Sequence, residues 1–405
     1  MRINYVIFAI LLFGFSCTEK KKRTIEEEVV SNSINLAEEA KRLSQEFIIV
    51  DGHVDLPYRL RNNMEDVSVQ TSSGHFDYVR AKKGGLDAPF MSIYIPAGFE
   101  NNGALKLAVE LITSVEKLCE DHPDKFSLAT TPQEIETNFS KGLISLPMGL
   151  ENGAPVEGKL DNLDILFNKG IRYITLTHSK DNHISDSSYD QKYTHGGLSP
   201  FGYEVIERMN QLGIMVDVSH VSDSAFYQSV KYSQAPVIAS HSSCRHFTPG
   251  FERNVSDDMI KLLAKNDGII MINFGSTFIT QQGDEALKKI NAKMEASENK
   301  NDPVLKSELD SLKKSSLVLG NISMVADHID HVVELAGIDF VGLGSDFDGV
   351  SKLPIGLEDA SKLPDLIHEL LKRGYTEEDI EKICSKNLFR VWNNVIDIAG
   401  EMKGR

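Results

Sequence analysis

Short β-rich apolar runs recur along most of this chain, with amphipathic helical stretches between them. The runs are FIIVDGHVD (47–55), APFMSIYIPAG (88–98), LISLPMGLENG (143–153), IRYITLTHS (171–179), GIMVDVSH (213–220), APVIASHSS (235–243), GIIMINFG (268–275) and FVGLGSDFDG (340–349). Helical patterns such as LKLAVELITSVEKLCE, PFGYEVIERMNQLG and SDDMIKLLAKND fall between them. Eight strands, most followed by a helix, predict an α/β fold: a parallel (β/α)8, TIM-like barrel. An open doubly wound sheet fits less well, because no glycine-rich phosphate loop follows the first strand.

The flanks read differently. Residues 1–17 combine Arg2, an apolar stretch from Tyr5 to Phe15, and Ser16 before Cys17. That is the pattern of a secretory signal peptide ending in a candidate lipidation cysteine, and it is too short to span a bilayer comfortably. Residues 18–43 form a charged tether that turns amphipathic near INLAEEAKRLSQEF, and residues 44–400 form a single barrel domain. One charged, helix-prone insertion, at about 280–316, follows the seventh strand, and Trp392 belongs to a closing helix as a core residue.

Composition narrows the function. The 405 residues are 41 % hydrophobic and 25 % charged, as in a globular protein, and the net charge of −16 argues against nucleic-acid partners. Beyond Cys17, the scattered Cys119, Cys244 and Cys384 contain no C-x-x-C pair, so neither a disulfide framework nor a thiolate zinc site is expected. Any metal must be held by histidines and carboxylates.

In such barrels, functional side chains gather at the C-terminal ends of the strands. Here the first strand ends in His53 and Asp55, which share one side of the strand because side chains at i and i+2 point the same way. The third ends in Glu151, the fourth in His178, the fifth in His220, the sixth in His241 and the eighth in Asp346. Buried together without a cation, these carboxylates would repel each other and be costly to desolvate. Imidazole and carboxylate without thiolate suit zinc, and also manganese, iron or cobalt. Five ligands exceed the needs of one tetrahedral ion, whereas two ions bridged by Glu151 and a hydroxide would use the whole set.

DGHVDLP, GLENG, LTHS, DVSH, SHSS, RNVSDDMI and GSDFDG, in this order and roughly this spacing, resemble the membrane (renal-type) dipeptidase family of binuclear zinc peptidases, in a bacterial lipoprotein-like form. The resemblance runs from about Phe47 to Val395. It implies two zinc ions per chain, one held by His53 and Asp55, the other by His220 and His241, with Glu151 between them. It implies that His178 faces the substrate carbonyl, that Asp346 handles protons, and that Arg253 grips the substrate carboxylate. Arg245 competes with Arg253 for that last role, and a surface ion pair with Asp257 or Asp258 is the plain alternative for either.

The implied activity is zinc-dependent hydrolysis of dipeptides through a metal-bridging hydroxide, with acceptance of a C-terminal D-residue left open by the sequence. The expected site is the bacterial cell envelope, with Cys17 as N-terminal lipid anchor. The sequence is compatible with a homodimer. Two rivals remain. Another binuclear amidohydrolase, acting on cyclic amides, lactones or β-lactams, would commonly open with H-x-H and bridge its metals with a modified lysine. A non-catalytic binding lipoprotein would lack a ligand, and none is missing.

Overall fold

A computed structural model describes residues 35–297, 303–304, 306–307 and 319–404. The leader, Cys17 and most of the tether lie outside the described residues, as does part of the 280–316 insertion.

Ten strands follow in chain order: β1 (Ile49–Val54), β2 (Leu86–Tyr94), β3 (Phe126–Leu128), β4 (Ile144–Leu146), β5 (Met148–Glu151), β6 (Ile171–Thr175), β7 (Met215–Asp217), β8 (Val237–Ser242), β9 (Ile269–Ile272) and β10 (Val341–Leu343). Eight of them pair in parallel, in the order β1-β2-β5-β6-β7-β8-β9-β10, which is the expected (β/α)8 barrel. The seam between first and last strand closes just past β10, where Val54 bridges Phe347. Two backbone hydrogen bonds hold it, Asp55 N–H to Phe347 O at 2.8 Å and Asp346 N–H to His53 O at 3.1 Å.

One expected strand is two. The run over 143–153 breaks at Pro147: β4 pairs with β3 in a separate two-stranded sheet, while β5 enters the barrel. Proline has no N–H to donate to a ladder, so a continuous central strand through it is unfavourable. The insertion begins as a helix, Gln281–Ala296. Residues 35–46 are helical and bury Ala40 and Leu43 in the main core.

Every barrel strand is buried almost throughout, as expected of a parallel sheet covered on its outer face by helices. The helices begin sharply after the loops of the C-terminal rim. Ser199, Ser222 and Ser256 cap Pro200–Leu212, Asp223–Tyr232 and Asp257–Lys265 by accepting a backbone N–H of the first turn. Inside the barrel, Trp392 from the closing helix packs on Phe90 at 5.2 Å between ring centres, and Phe90 packs on Tyr173 at 5.3 Å. Gly149 is the register partner of Tyr173 on the neighbouring strand, and a Cβ there would collide with the phenol ring. This aromatic column fills the lower barrel and carries the Tyr173 hydroxyl up to the polar layer.

Asp87, buried at the start of β2, accepts the Ile49 N–H at 3.1 Å. Burial pushes its pKa up to about 7, against the pull of that hydrogen bond and of Lys82. The unfolded chain releases this proton near pH 4. Unfolding therefore releases a proton between about pH 4 and 7, and stability falls through that window by on the order of a few kcal/mol. Asp87→Asn should flatten the slope relative to wild type in urea unfolding measured across this range. Parallel curves would show Asp87 to be ionised in the native state.

Candidate metal centre

The C-terminal mouth of the barrel brings six of the strand-end residues around the seventh, Glu151, whose side chain is 5 % exposed. Glu151 Oε2 lies 3.4 Å from His53 Nε2 and accepts the Ser92 hydroxyl at 3.2 Å. Glu151 Oε1 lies 3.1 Å from His220 Nε2, 3.4 Å from His241 Nε2 and 3.5 Å from His178 Nε2. The two oxygens thus face different rings, Oε2 that of His53 and Oε1 those of His220, His241 and His178, while the close groups of donor atoms overlap: His53 and His241 with Glu151, and His178 and His220 with Glu151. Asp55 Oδ2 is 3.4 Å from His53 Nε2, and Asp346 joins those two in a third close group of donor atoms.

For His53 and His241, the hydrogen bonds behind the ring determine which nitrogen it presents. Tyr173 donates its hydroxyl proton to Gly52 O at 3.0 Å, so His53 Nδ1–H donates to the Tyr173 oxygen at 2.8 Å. This leaves a lone pair on His53 Nε2, which is buried and has no hydrogen-bond partner. His241 follows the same logic. Ser240 donates to Asp217 Oδ2 at 2.6 Å and accepts from His241 Nδ1–H at 2.7 Å, turning the Nε2 lone pair inward, where His220 Nε2 lies 2.8 Å away. Two imidazole nitrogens this close, both aimed at one carboxylate oxygen, are the donor set of a cation.

Electrostatics agree. Burial alone would raise the Glu151 pKa, but the imidazoles packed around it, His53 and His178 foremost, hold it well below its ordinary value. Burial opposes a charge on His53, yet Tyr173, Glu151 and Asp55 raise its proton affinity well above normal, so the position favours a positive charge. His220 and His241 are pushed the other way, by burial and by the positive Arg253 among other neighbours, which favours their neutral forms. Burial, and then the Asp55 charge, raise Asp346 to about 7, and Asn273 holds its Oδ2 at 2.8 Å. The residues present therefore fit metal ions.

Backbone strain marks the same place. His220 and Asp346 have left-handed conformations, φ 68° and 63°, which cost a non-glycine residue roughly 1–3 kcal/mol. At Gly349, a Cβ would collide with the carboxylates of both Asp55 and Asp346.

Arg253 is 3 % exposed and donates to Ser242 Oγ at 2.7 Å and His241 O at 2.8 Å. It has no carboxylate partner among the described residues, and its Nε is buried without a hydrogen bond. Arg245, in contrast, is bound bidentately by Asp223 at 2.8 and 2.5 Å and donates to Asn254 O and Glu252 O. Neither arginine pairs with Asp257, which holds His331 instead. His178 stacks edge-on against Tyr94 at 4.8 Å between ring centres, with its Nδ1 unpartnered.

Sequence reasoning did not find Tyr173, Ser240 or Asn273. Ser240 stood beside a predicted ligand in ASHSS, and Asn273 ends the one late strand that carries no ionisable group; position alone could have flagged both.

Comparison with known proteins agrees with this geometry. The family model for membrane dipeptidase, peptidase family M19, matches residues 37–405. Mouse and rat Dipeptidase 3 are each 33 % identical over 381 residues, covering 91 % of this chain and 69 % and 70 % of theirs. Among solved structures, the probable dipeptidase PvdM from Pseudomonas aeruginosa superposes with a TM-score of 0.77 at 25 % identity, over 90 % of this chain and 99 % of that one. A metallo peptidase from Rhodobacter sphaeroides, solved with a phosphinate mimic of L-Ala-D-Ala, shares the fold with a TM-score of 0.72 at 23 % identity, over 86 % and 99 % of the two chains. With the family model spanning nearly the whole chain and the curated relatives one-third identical to it, this protein belongs to the membrane dipeptidase family, peptidase family M19.

Proposed function

We propose that this protein, a metal-dependent dipeptidase by family, works with two zinc ions, one held by His53 and Asp55, the other by His220 and His241, with Glu151 shared between them. Glu151 Oε2 turned to His53 and Oε1 turned to His220 and His241 support the pairing. When bound, two such ions supply a hydroxide nucleophile at neutral pH and polarise the scissile carbonyl.

The chain's own groups do the rest. Asp346, with a pKa near 7, takes the proton from the attacking water and returns it to the leaving amine. His178, lined up beside Glu151 and steadied by Tyr94, donates to the developing oxyanion. Arg253 binds the substrate's C-terminal carboxylate, and this is the observation that carries the dipeptide reading. A buried guanidinium without a counter-ion, close enough to depress the His178, His220 and His241 pKa values, calls for an anion one residue beyond the scissile bond. A longer peptide would place a neutral amide there and leave the charge unpaired. By the same reading, Cys17 carries an N-terminal lipid that holds the enzyme on a bacterial cell envelope; the support is the leader pattern of residues 1–17.

Purified enzyme dialysed after zinc loading should retain two tightly held ions per chain by elemental analysis, and Glu151→Gln should retain at most one. A wild-type content of one or below would remove the binuclear reading.

Asp346→Asn, which nearly preserves shape, should keep both ions and substrate affinity while lowering kcat by roughly 10²-fold or more. Turnover at the wild-type rate would assign Asp346 a structural role only.

Arg253→Met should raise KM for dipeptides by about 10²-fold, with a smaller change in kcat, and narrow the gap between a dipeptide and its C-terminal amide. The dipeptide reading fails if the wild-type enzyme cleaves amide and free acid equally well.

A further inference from the structure

A second group of metal-ligating side chains, outside the strand-end cluster, lies where three elements meet. His246 belongs to the 3-10 turn Arg245–Phe247 after β8, Asp257 is the first residue of the helix Asp257–Lys265, and His331 lies on the helix Ile322–Ala336. One ligand atom from each lies within 4.8 Å of the other two. None of the three takes part in the centre described above.

The local contacts hold this arrangement in place. His331 Nε2 is 2.8 Å from Asp257 Oδ1, and the His246 ring stacks on the His331 ring with centres 4.4 Å apart at 29°. Phe247 packs against the His331 ring at 5.6 Å and against the His328 ring at 4.4 Å. Buried His328 fastens the turn to its own helix, accepting the Cys244 N–H at 2.9 Å while its Nε2 meets Ile279 O at 3.1 Å. His328 is thus fully engaged and offers no ligand. The His246 imidazole, in contrast, makes no hydrogen bond to the described residues, although its ring is held beside the His331–Asp257 pair. An ion pair accounts for His331 and Asp257 and gives no reason for His246.

We propose that His246, Asp257 and His331 form a separate, exchangeable site for a first-row divalent cation such as zinc. Two imidazoles and one carboxylate are a borderline donor set that suits such ions, with water filling the remaining positions. Tetrahedral zinc needs donors roughly 3.4 Å apart, which small side-chain rotations supply from the observed spacing. His331 is 12 % exposed and Asp257 42 %, and His246 is exposed, so the site opens to solvent and exchanges its ion more readily than the buried centre. The bound ion would tie the loop that carries Arg253 to the helix Ile322–Ala336, adding to the packing, the His331–Asp257 pair and the Cys244–His328 hydrogen bond that already join them.

The test is zinc titration of the holoenzyme, whose tightly held ions are counted beforehand, by calorimetry and thermal unfolding. Wild type should bind one further ion in a saturable step, with Tm rising alongside. His246→Ala and His331→Ala should each weaken that step by at least about tenfold and abolish the Tm rise. Unchanged tight-ion content and dipeptide turnover would show that the variants are folded and that the catalytic centre is intact. The proposal is overturned if wild type shows no saturable binding beyond the tightly held ions. It is equally overturned if the step persists in the His246→Ala/His331→Ala double variant. Because the tightly held ions are counted independently, either result leaves the reading of the catalytic centre standing or falling on its own test.

Discussion

Four imidazoles and three carboxylates converge in a volume nearly closed to solvent, and Glu151 lies at their centre. A low-dielectric interior penalises each of these groups separately, so they can share it only if positive charge balances the acids. This requirement explains the arrangement around them: histidines whose neutral forms are favoured on one side of Glu151, a histidine with raised proton affinity on the other, and a carboxylate, Asp346, whose pKa burial and the Asp55 charge raise. The barrel supplies the framework because it aims strand ends from all around its circumference at one point.

The interior column below the centre has a chemical role as well as a packing one. Trp392 supports Phe90, Phe90 supports Tyr173, and the Tyr173 hydroxyl fixes the proton on His53 Nδ1. Gly149 leaves the room that this phenol occupies. The lower core and the orientation of the His53 ring are therefore one continuous stack, and a packing change near the barrel floor is felt at His53 Nε2. On the other side, the Asp217–Ser240 pair does for His241 what Tyr173 does for His53.

Much of this was legible in the sequence because a parallel barrel gives strand ends a fixed meaning. Seven ionisable residues at such ends announced the centre before any fold was in view. The supporting contacts were not legible, since they join residues far apart in the chain: His53 and Tyr173 are 120 positions apart, Asn273 and Asp346 are 73. Periodicity carries no information about such pairs. The break at Pro147 was visible as a residue, but an apolar run continues on both sides of it, and only pairing with β3 distinguishes two short strands from one long one. Arg253 and Arg245 lie in one loop, and only their partners separate the free guanidinium from the one held by Asp223.

The seam of the barrel sets an order of events during synthesis. Asp51 Oδ1 accepts both the His53 N–H at 3.1 Å and the Ser345 N–H at 2.8 Å, joining positions 294 residues apart. The residues on either side of that junction, His53 and Asp55 from the first strand and Asp346 after the last, form one of the close donor groups. A nascent chain therefore exposes His53 and Asp55 early and completes their surroundings only when the last barrel strand has left the ribosome. Until then, His53 and Asp55 lie on an open strand edge whose partner has not been made, and the finished centre arises in the same step that closes the barrel.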